Sequence, residues 1–222
     1  MTTRGGYVPS VGDRAWIEAA AAPLHPVLEL IEVAAGRDDI PILDREAGRI
    51  LAALVAGRGR IVEVGTAYGY STLCMALGQP ADGTIVTIDP DRSRTVRARD
   101  WWRQAGIPDD RIAVVNRPAL DAFAVDAVEP VLAGPFDLAF IDALKPEYAA
   151  YVAAIVPRLA PGALVIADNV LWAGRVSGGR PSNPGDATDL LRAFDSAMLR
   201  DARFTATILP VGDGLLLAGF RG

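Results

Sequence analysis

Of the twenty-two basic residues in this 222-residue chain, twenty-one are arginine and one, Lys145, is lysine. Arginine serves a solvated surface as well as lysine does, but it keeps its proton at any ordinary pH. A lysine can be driven to its neutral form by burial or by a nearby cation, and can then act as a base. Lys145 ends the stretch Ile141-Asp142-Ala143-Leu144-Lys145, straight after an apolar run, and is the first candidate for a general base. Asp168-Asn169 follows a second apolar run, Ala163-Leu164-Val165-Ile166-Ala167. Asp142, Asp168 and Asn169 together offer only hard oxygen donors. Such a set suits Mg2+, with Mn2+ or Ca2+ as alternatives, and gives zinc no thiolate or imidazole. The same residues have plain structural uses. Asp142 could cap a helix beginning at Pro146, and Asp168-Asn169 could form an Asx turn. On residue chemistry alone both readings stand.

A third element concerns a cofactor. The run Arg60-Ile61-Val62-Glu63-Val64 leads into Gly65-Thr66-Ala67-Tyr68-Gly69-Tyr70-Ser71-Thr72. The glycines let the backbone pass close to a ligand and turn into a helix whose N-terminus attracts negative charge. Thr66-Ala67-Tyr68 separates them, so the GxGxxG spacing that a pyrophosphate needs is missing and a dinucleotide is disfavoured. A smaller ligand with a carboxylate suits the Gly65 backbone and the Ser71 hydroxyl. Asp89 ends the next apolar run. An acidic residue about 20–25 positions after such a loop can accept both ribose hydroxyls of a nucleoside. The alternative use of Asp89 is as an N-cap.

These residues need a scaffold that brings their run-ends together. Short apolar runs at 60–64, 84–88, 111–115, 136–141 and 163–167 alternate with helical patterns at 70–77, 91–105, from 119, and from Pro146 to about 159. The runs are continuous rather than alternating, as expected for strands covered on both faces by helices. The pattern predicts a Rossmann-like, doubly wound, mostly parallel sheet. A helix at 186–200 precedes an antiparallel pair, 203–209 and 215–220, joined through Asp213-Gly214. Two helical stretches near 13–35 and 43–56 read as a cap. The expected organisation is one domain, with a helical cap at 1–57 and the core at 58–222. The polar loop 173–185 follows the last parallel strand and is read as a mobile substrate lid.

Composition narrows the partners. A net charge of −5 favours neither nucleic acid nor an anionic membrane surface. No apolar run approaches the roughly 18–20 residues that span a bilayer, and Met1 to Tyr7 has no basic-then-apolar leader pattern. One cysteine, Cys74, excludes an internal disulfide and suits a reducing cytoplasm; its apolar surroundings mark it as a buried small hydrophobe. The one histidine, His25, excludes a multi-histidine metal site and disfavours a Ser-His-Asp hydrolase. It reads as a loop or helix-start residue.

The ordered elements resemble one family. Gly65 to Thr72 after Glu63 is similar to the S-adenosylmethionine loop of cation-dependent O-methyltransferases of the catechol and caffeoyl-coenzyme-A type. Asp142-Ala143-Leu144-Lys145-Pro146-Glu147-Tyr148 resembles that family's Asp-Ala-x-Lys-x-x-Tyr element, and Asp168-Asn169-Val170-Leu171-Trp172-Ala173-Gly174 its Asp-Asn-x-Leu-Trp-x-Gly element. Leu209-Pro210-Val211-Gly212-Asp213-Gly214-Leu215 resembles its terminal hairpin. The likeness covers roughly 40–220.

The resemblance implies S-adenosylmethionine bound by Glu63, Gly65, Tyr70, Ser71, Asp89, Ala119 and Asp142. It implies a divalent cation on Asp142, Asp168 and Asn169, Lys145 as base, and Trp172 as a wall of the acceptor site. The acceptor would be a vicinal diphenol chelating the cation, and the protein a homodimer. Arg117 stands where the family has glycine, Leu144 replaces a commonly polar residue, and neither the segment up to Pro41 nor loop 173–185 matches a family element. Two other readings compete: a nucleotide-dependent oxidoreductase on the same fold, and a cofactor-binding protein without catalysis.

Overall fold

The computed structural model describes residues 9–124 and 129–222; the Met1–Tyr7 segment lies outside them. Seven strands form one sheet: β1 Arg60–Val64, β2 Thr84–Ile88, β3 Ile112–Val115, β4 Phe136–Ile141, β5 Leu159–Ala167, β6 Phe204–Leu209 and β7 Leu215–Phe220, in the order β3-β2-β1-β4-β5-β7-β6. Pairs among β1 to β5 are parallel, while β7 runs antiparallel to both β5 and β6. The expected doubly wound sheet with an antiparallel C-terminal pair is therefore what forms.

The alternation of side chains explains the two cores. Val62 and Val64 of β1 point into one apolar layer with Ile141, Val165 and Phe194. Ile61 points into the other with Leu73, Phe140 and Ile166. Each face is covered by helices, so nearly every strand position is apolar and the runs show no period of two. The first layer is closed by α6 Ala119–Phe123, α7 Tyr148–Ile155 and α8 Thr188–Arg200; the second by α2 Pro26–Asp38, α3 Arg45–Leu54, α4 Tyr70–Gly78 and α5 Arg92–Gln104.

Several boundaries differ from expectation. The stretch 13–35 is two helices, α1 Val11–Ala20 and α2. Pro23 and Pro26 flank the break, and Pro26 opens α2 in the first turn, where a missing N–H costs nothing. His25 is the N-cap of α2, its Nδ1 accepting from the Val27 N–H at 3.3 Å. The helix expected from Pro146 to about 159 begins as a 3-10 turn, Lys145–Glu147, and α7 ends at Ile155 before a second 3-10 turn over Val156–Arg158. Pro157 removes the donor that another α turn would need. β5 starts at Leu159, four residues before the predicted run, since Pro161 and Gly162 hide its beginning in the sequence.

α1 has no buried residue. It is held by Arg45 and Arg49 of α3, both within ion-pair distance of Glu18, and by Arg49 donating to the Ala22 carbonyl at 2.8 Å.

Candidate active site

Strand order reverses between β1 and β4. At such a point the connections leaving neighbouring strand ends diverge and leave a crevice beyond the carboxyl edge. A cavity of about 550 Å3 opens there. Gly65 follows β1, Asp89 follows β2, Ala119 follows β3, Asp142 and Lys145 follow β4, and Asp168 and Asn169 follow β5; all line it, as do Tyr70 and Ser71.

Two predicted residues do not line it. Glu63 is fully buried beneath the loop, where its carboxylate accepts from the Ser71 hydroxyl at 2.6 Å and the Thr72 hydroxyl at 2.5 Å. Burial pushes its pKa up to about 7, against the pull of those hydroxyls. Glu63 therefore acts on the start of α4, not on the cavity directly. Trp172 is half-buried and packs on the first apolar layer. Loop 173–185 also contributes nothing to the cavity wall. It is fastened instead, with Arg192 of α8 donating to the carbonyls of Val176 at 3.0 Å and Arg175 at 3.1 Å. The loop expected to act as a lid thus forms no part of the cavity lining.

The missing wall comes from the N-terminal cap. Pro41, Ile42 and Leu43, between α2 and α3, line the cavity. The loop after β1 grips α2 through two tyrosines. Tyr68 donates to Asp38 at 2.7 Å, and Tyr70 donates to Glu32 at 2.8 Å. Arg97 joins the first pair and Arg45 the second, at 2.8 and 2.5 Å. Burial raises the Tyr70 hydroxyl well above its ordinary pKa, so it remains a donor. No sequence signal tied residues 38 and 32 to 68 and 70; the pairing exists only once α2 lies on the loop.

Gly65 lines the cavity as expected, and the fold gives both glycines a second use. Gly65 sits at φ +100°, and a Cβ there would stand 2.8 Å from the Asp142 carbonyl carbon and overlap its oxygen. At Gly69, φ +75°, a Cβ would meet the Trp102 ring at 2.6 Å, and the Trp102 indole N–H donates to the Gly69 carbonyl at 3.0 Å. Both glycines admit protein neighbours. The chain thereby brings the ends of β1 and β4 into contact.

Asp89 accepts from the Thr66 and Ala67 N–H groups at 3.1 and 2.8 Å and from the Asp91 N–H at 2.9 Å. The N-cap of α5 is Asp91, not Asp89. Asp89 thus shapes the loop after β1 while lining the cavity.

At the other end, Lys145 Nζ lies 2.8 Å from Asp142 Oδ1 and 5.4 Å from the Tyr148 ring centroid. Asp142 makes no cap for the following turn, whose N-cap is Leu144. Asp168 is only 4% exposed. Its Oδ2 accepts from the Asn169 amide at 3.2 Å, and its Oδ1 is buried with no hydrogen-bond partner. Burial, reinforced by the nearby Asp142 charge, raises the Asp168 carboxyl to about 7. A buried carboxylate oxygen with no partner is costly, and a cation is one group that would satisfy it. Among the described residues no set of three or more His, Cys, Asp or Glu side chains could hold a metal; the donors gathered here are two carboxylates and an amide. Tyr148 is fully buried and donates to the Asp168 carbonyl at 3.0 Å, tying the β4 connection to the β5 connection.

The O-methyltransferase family model matches residues 20–220. The chain belongs to the O-methyltransferase family. It is 34% identical over 168 residues to the catechol O-methyltransferase domain-containing protein 1 of Mus musculus, a match covering 76% of this chain and 62% of that protein. It is 34% identical to the catechol O-methyltransferase of Niastella koreensis, over 77% of this chain and 76% of the relative. Caffeoyl-CoA O-methyltransferase 2 of Zea mays is 31% identical over 90% of this chain and 79% of its own. Among solved structures, the O-methyltransferase TomG of Streptomyces achromogenes, in complex with S-adenosylmethionine, superposes with a TM-score of 0.80 at 30% identity, over 94% and 95% of the two chains. The resemblance read from four sequence elements is thus borne out, and the oxidoreductase reading is set aside. Among the described residues no helix is long and apolar enough to cross a membrane.

Proposed function

We propose that this O-methyltransferase methylates one hydroxyl of a vicinal diphenol, using S-adenosylmethionine and a divalent cation, Mg2+ or alternatively Mn2+ or Ca2+. The observation that carries the cation is the buried, unpartnered Asp168 Oδ1, in a cavity that Asn169 and Asp142 also line. Asp142, Asp168 and Asn169 would hold the cation. When bound, the cation would supply Lewis acidity to the acceptor oxygens and the cofactor an already activated methyl group.

The chain's own residues do the rest. Asp89 and the Gly65 backbone hold the nucleoside and amino-acid ends of the cofactor, with Ala119, Tyr70 and Ser71 along its length. Glu63 fixes the hydroxyls of Ser71 and Thr72 and so fixes the helix start. Lys145 Nζ takes the proton from the acceptor hydroxyl. Asp142 Oδ1, 2.8 Å away, orients the amine and stabilises the ammonium that results. Pro41, Ile42, Leu43 and Leu144 give the cavity an apolar wall. Positioning of the two reactants supplies most of the catalysis. Trp172 bears on the acceptor only through packing.

The wider assignment is a cytoplasmic homodimer of one-domain chains. It rests on family resemblance, on the single buried cysteine, and on the exposed Trp16, Ile17 and Val33 of α1 and α2.

The deciding assay is methyl transfer from S-adenosylmethionine to catechols and monophenols, each with Mg2+ and with a chelator. Turnover of catechols alone, abolished by the chelator, is expected. Cofactor binding without turnover on any phenol would favour the non-catalytic reading.

A further inference from the structure

The segment that carries Asp168 and Asn169 is held in an unfavourable shape. Asn169, Trp172 and Ala173 all have left-handed backbones, at φ +58°, +48° and +51°. Asparagine tolerates such a backbone, but for alanine it is costly, and most of all for a large side chain such as Trp172. Three within five residues persist only where the surroundings over-determine them.

Those surroundings are the turn between β6 and β7, which the mechanism above leaves without a role. The Asp213 carbonyl accepts from the Leu171 N–H at 2.8 Å, and the Gly214 carbonyl accepts from the Val170 N–H at 3.1 Å. The Asp213 carboxylate accepts from the Ala173 N–H. Gly214, at φ +92°, lies so close that a Cβ would stand 2.7 Å from the Leu171 nitrogen. One residue, Asp213, thus grips the strained stretch at its middle, 171, and at its end, 173, from about forty residues further along the chain.

We infer that Asp213 is a positioning residue for the cation site: its carboxylate and carbonyl hold segment 169–173 in the left-handed form that aims Asp168 and Asn169 into the cavity. This rests on the cation reading proposed above. The physical content is a compensation. Bonds from Asp213 offset the backbone strain, and the strain is what brings two adjacent side chains to one side of the strand end.

The test is Mn2+ binding by the full chain, read from the electron paramagnetic resonance of free Mn2+, with no acceptor present. Asp213→Ala is expected to weaken Mn2+ by roughly 10-fold or more, the usual loss when a partner behind metal ligands is removed. S-adenosylmethionine affinity should stay within about twofold, since Asp89 and Gly65 are untouched. Adding Ala173→Gly, which accepts φ +51° without strain, should recover part of the lost Mn2+ affinity. A role for Asp213 unconnected with the backbone of 169–173 would not be repaired by a glycine at 173. Unchanged Mn2+ affinity in a folded Asp213→Ala protein would overturn the inference, as would a double variant no better than the single. If Asp213→Ala does not fold, the double variant decides: restored folding and binding support the inference, and continued failure ends it. Wild-type protein that binds no Mn2+ would instead sink the cation reading itself.

Discussion

Replacing Gly65 with alanine tests how the ends of β1 and β4 are brought together. Two costs apply. The first is the left-handed backbone, about 1–2 kcal/mol for a residue with a Cβ. The second is steric, because the new Cβ would overlap the Asp142 carbonyl oxygen and lie 2.8 Å from its carbon. The Asp142 N–H already bonds the Val64 carbonyl at 2.9 Å, and the Gly65 N–H bonds the Ile88 carbonyl at 2.9 Å. Neither side can retreat without breaking the ladder, so the overlap should cost about 1–3 kcal/mol, as overpacking of a close-packed core does. Gly106 supplies the control. It also has positive φ, +77°, but a Cβ there would meet nothing within 4 Å. Gly106→Ala should therefore show the backbone cost alone, with the same gain from a stiffer unfolded chain. Thermal unfolding of both variants by circular dichroism isolates the steric part. For a domain of this size 1 kcal/mol is about 2–4 °C, so Gly65→Ala should melt roughly 2–12 °C below Gly106→Ala. Equal melting temperatures would refute the claim that Gly65 exists to admit Asp142. The Gly65 variant should also lose cation-dependent turnover, because the backbone that carries Asp142 and Lys145 must shift.

Three further outcomes are expected. Lys145→Ala should keep cofactor affinity and lose most of kcat, about 10²–10⁴-fold for a lost general base; unchanged kcat in steady-state assays would remove Lys145 from the chemistry. Asp195 of α8 is 5% exposed, both its carboxylate oxygens are buried without partners, and burial raises its pKa to about 7. Its folded pKa exceeds the unfolded value, so the neutral form favours the fold. That contribution is complete below about pH 4 and is lost as pH rises towards 7, by about 2–4 kcal/mol. Urea unfolding of wild type and Asp195→Asn across this range should show wild type losing ground; a pH-independent difference would sink the idea. Glu32→Leu should break the Tyr70–Glu32–Arg45 clasp and weaken S-adenosylmethionine about fivefold, the value of a hydrogen bond worth about 1 kcal/mol. Calorimetry giving an unchanged Kd would show that α2 does not bear on the cavity wall.

Local chemistry determined much of this protein from sequence. Continuous apolar runs separated by helical patterns fixed the parallel sheet, because burial on both faces leaves no room for alternation. Asp142, Lys145, Asp168 and Asn169 were legible because each follows a strand, and strand ends of such a sheet share one edge. His25 at a helix start and Cys74 in the core followed from their neighbours alone. Tertiary structure decided what depends on distant pairs. Gly65 and Gly69 looked like room for a ligand; Gly65 does line the cavity, but only the fold shows that it also admits Asp142, and that Gly69 admits Trp102. Glu63 looked like a cofactor contact, yet it lies under the loop and holds Ser71 and Thr72. Loop 173–185 looked like a lid, yet Arg192 ties it to α8, and Pro41 to Leu43 line the cavity instead. A strand or helix is specified by residues a few positions apart, so its signal survives in a single sequence. A wall, a clasp or a close approach is specified by which surfaces meet, and the partners of Tyr70, Gly65 and Ala173 lie 38, 77 and 40 residues away.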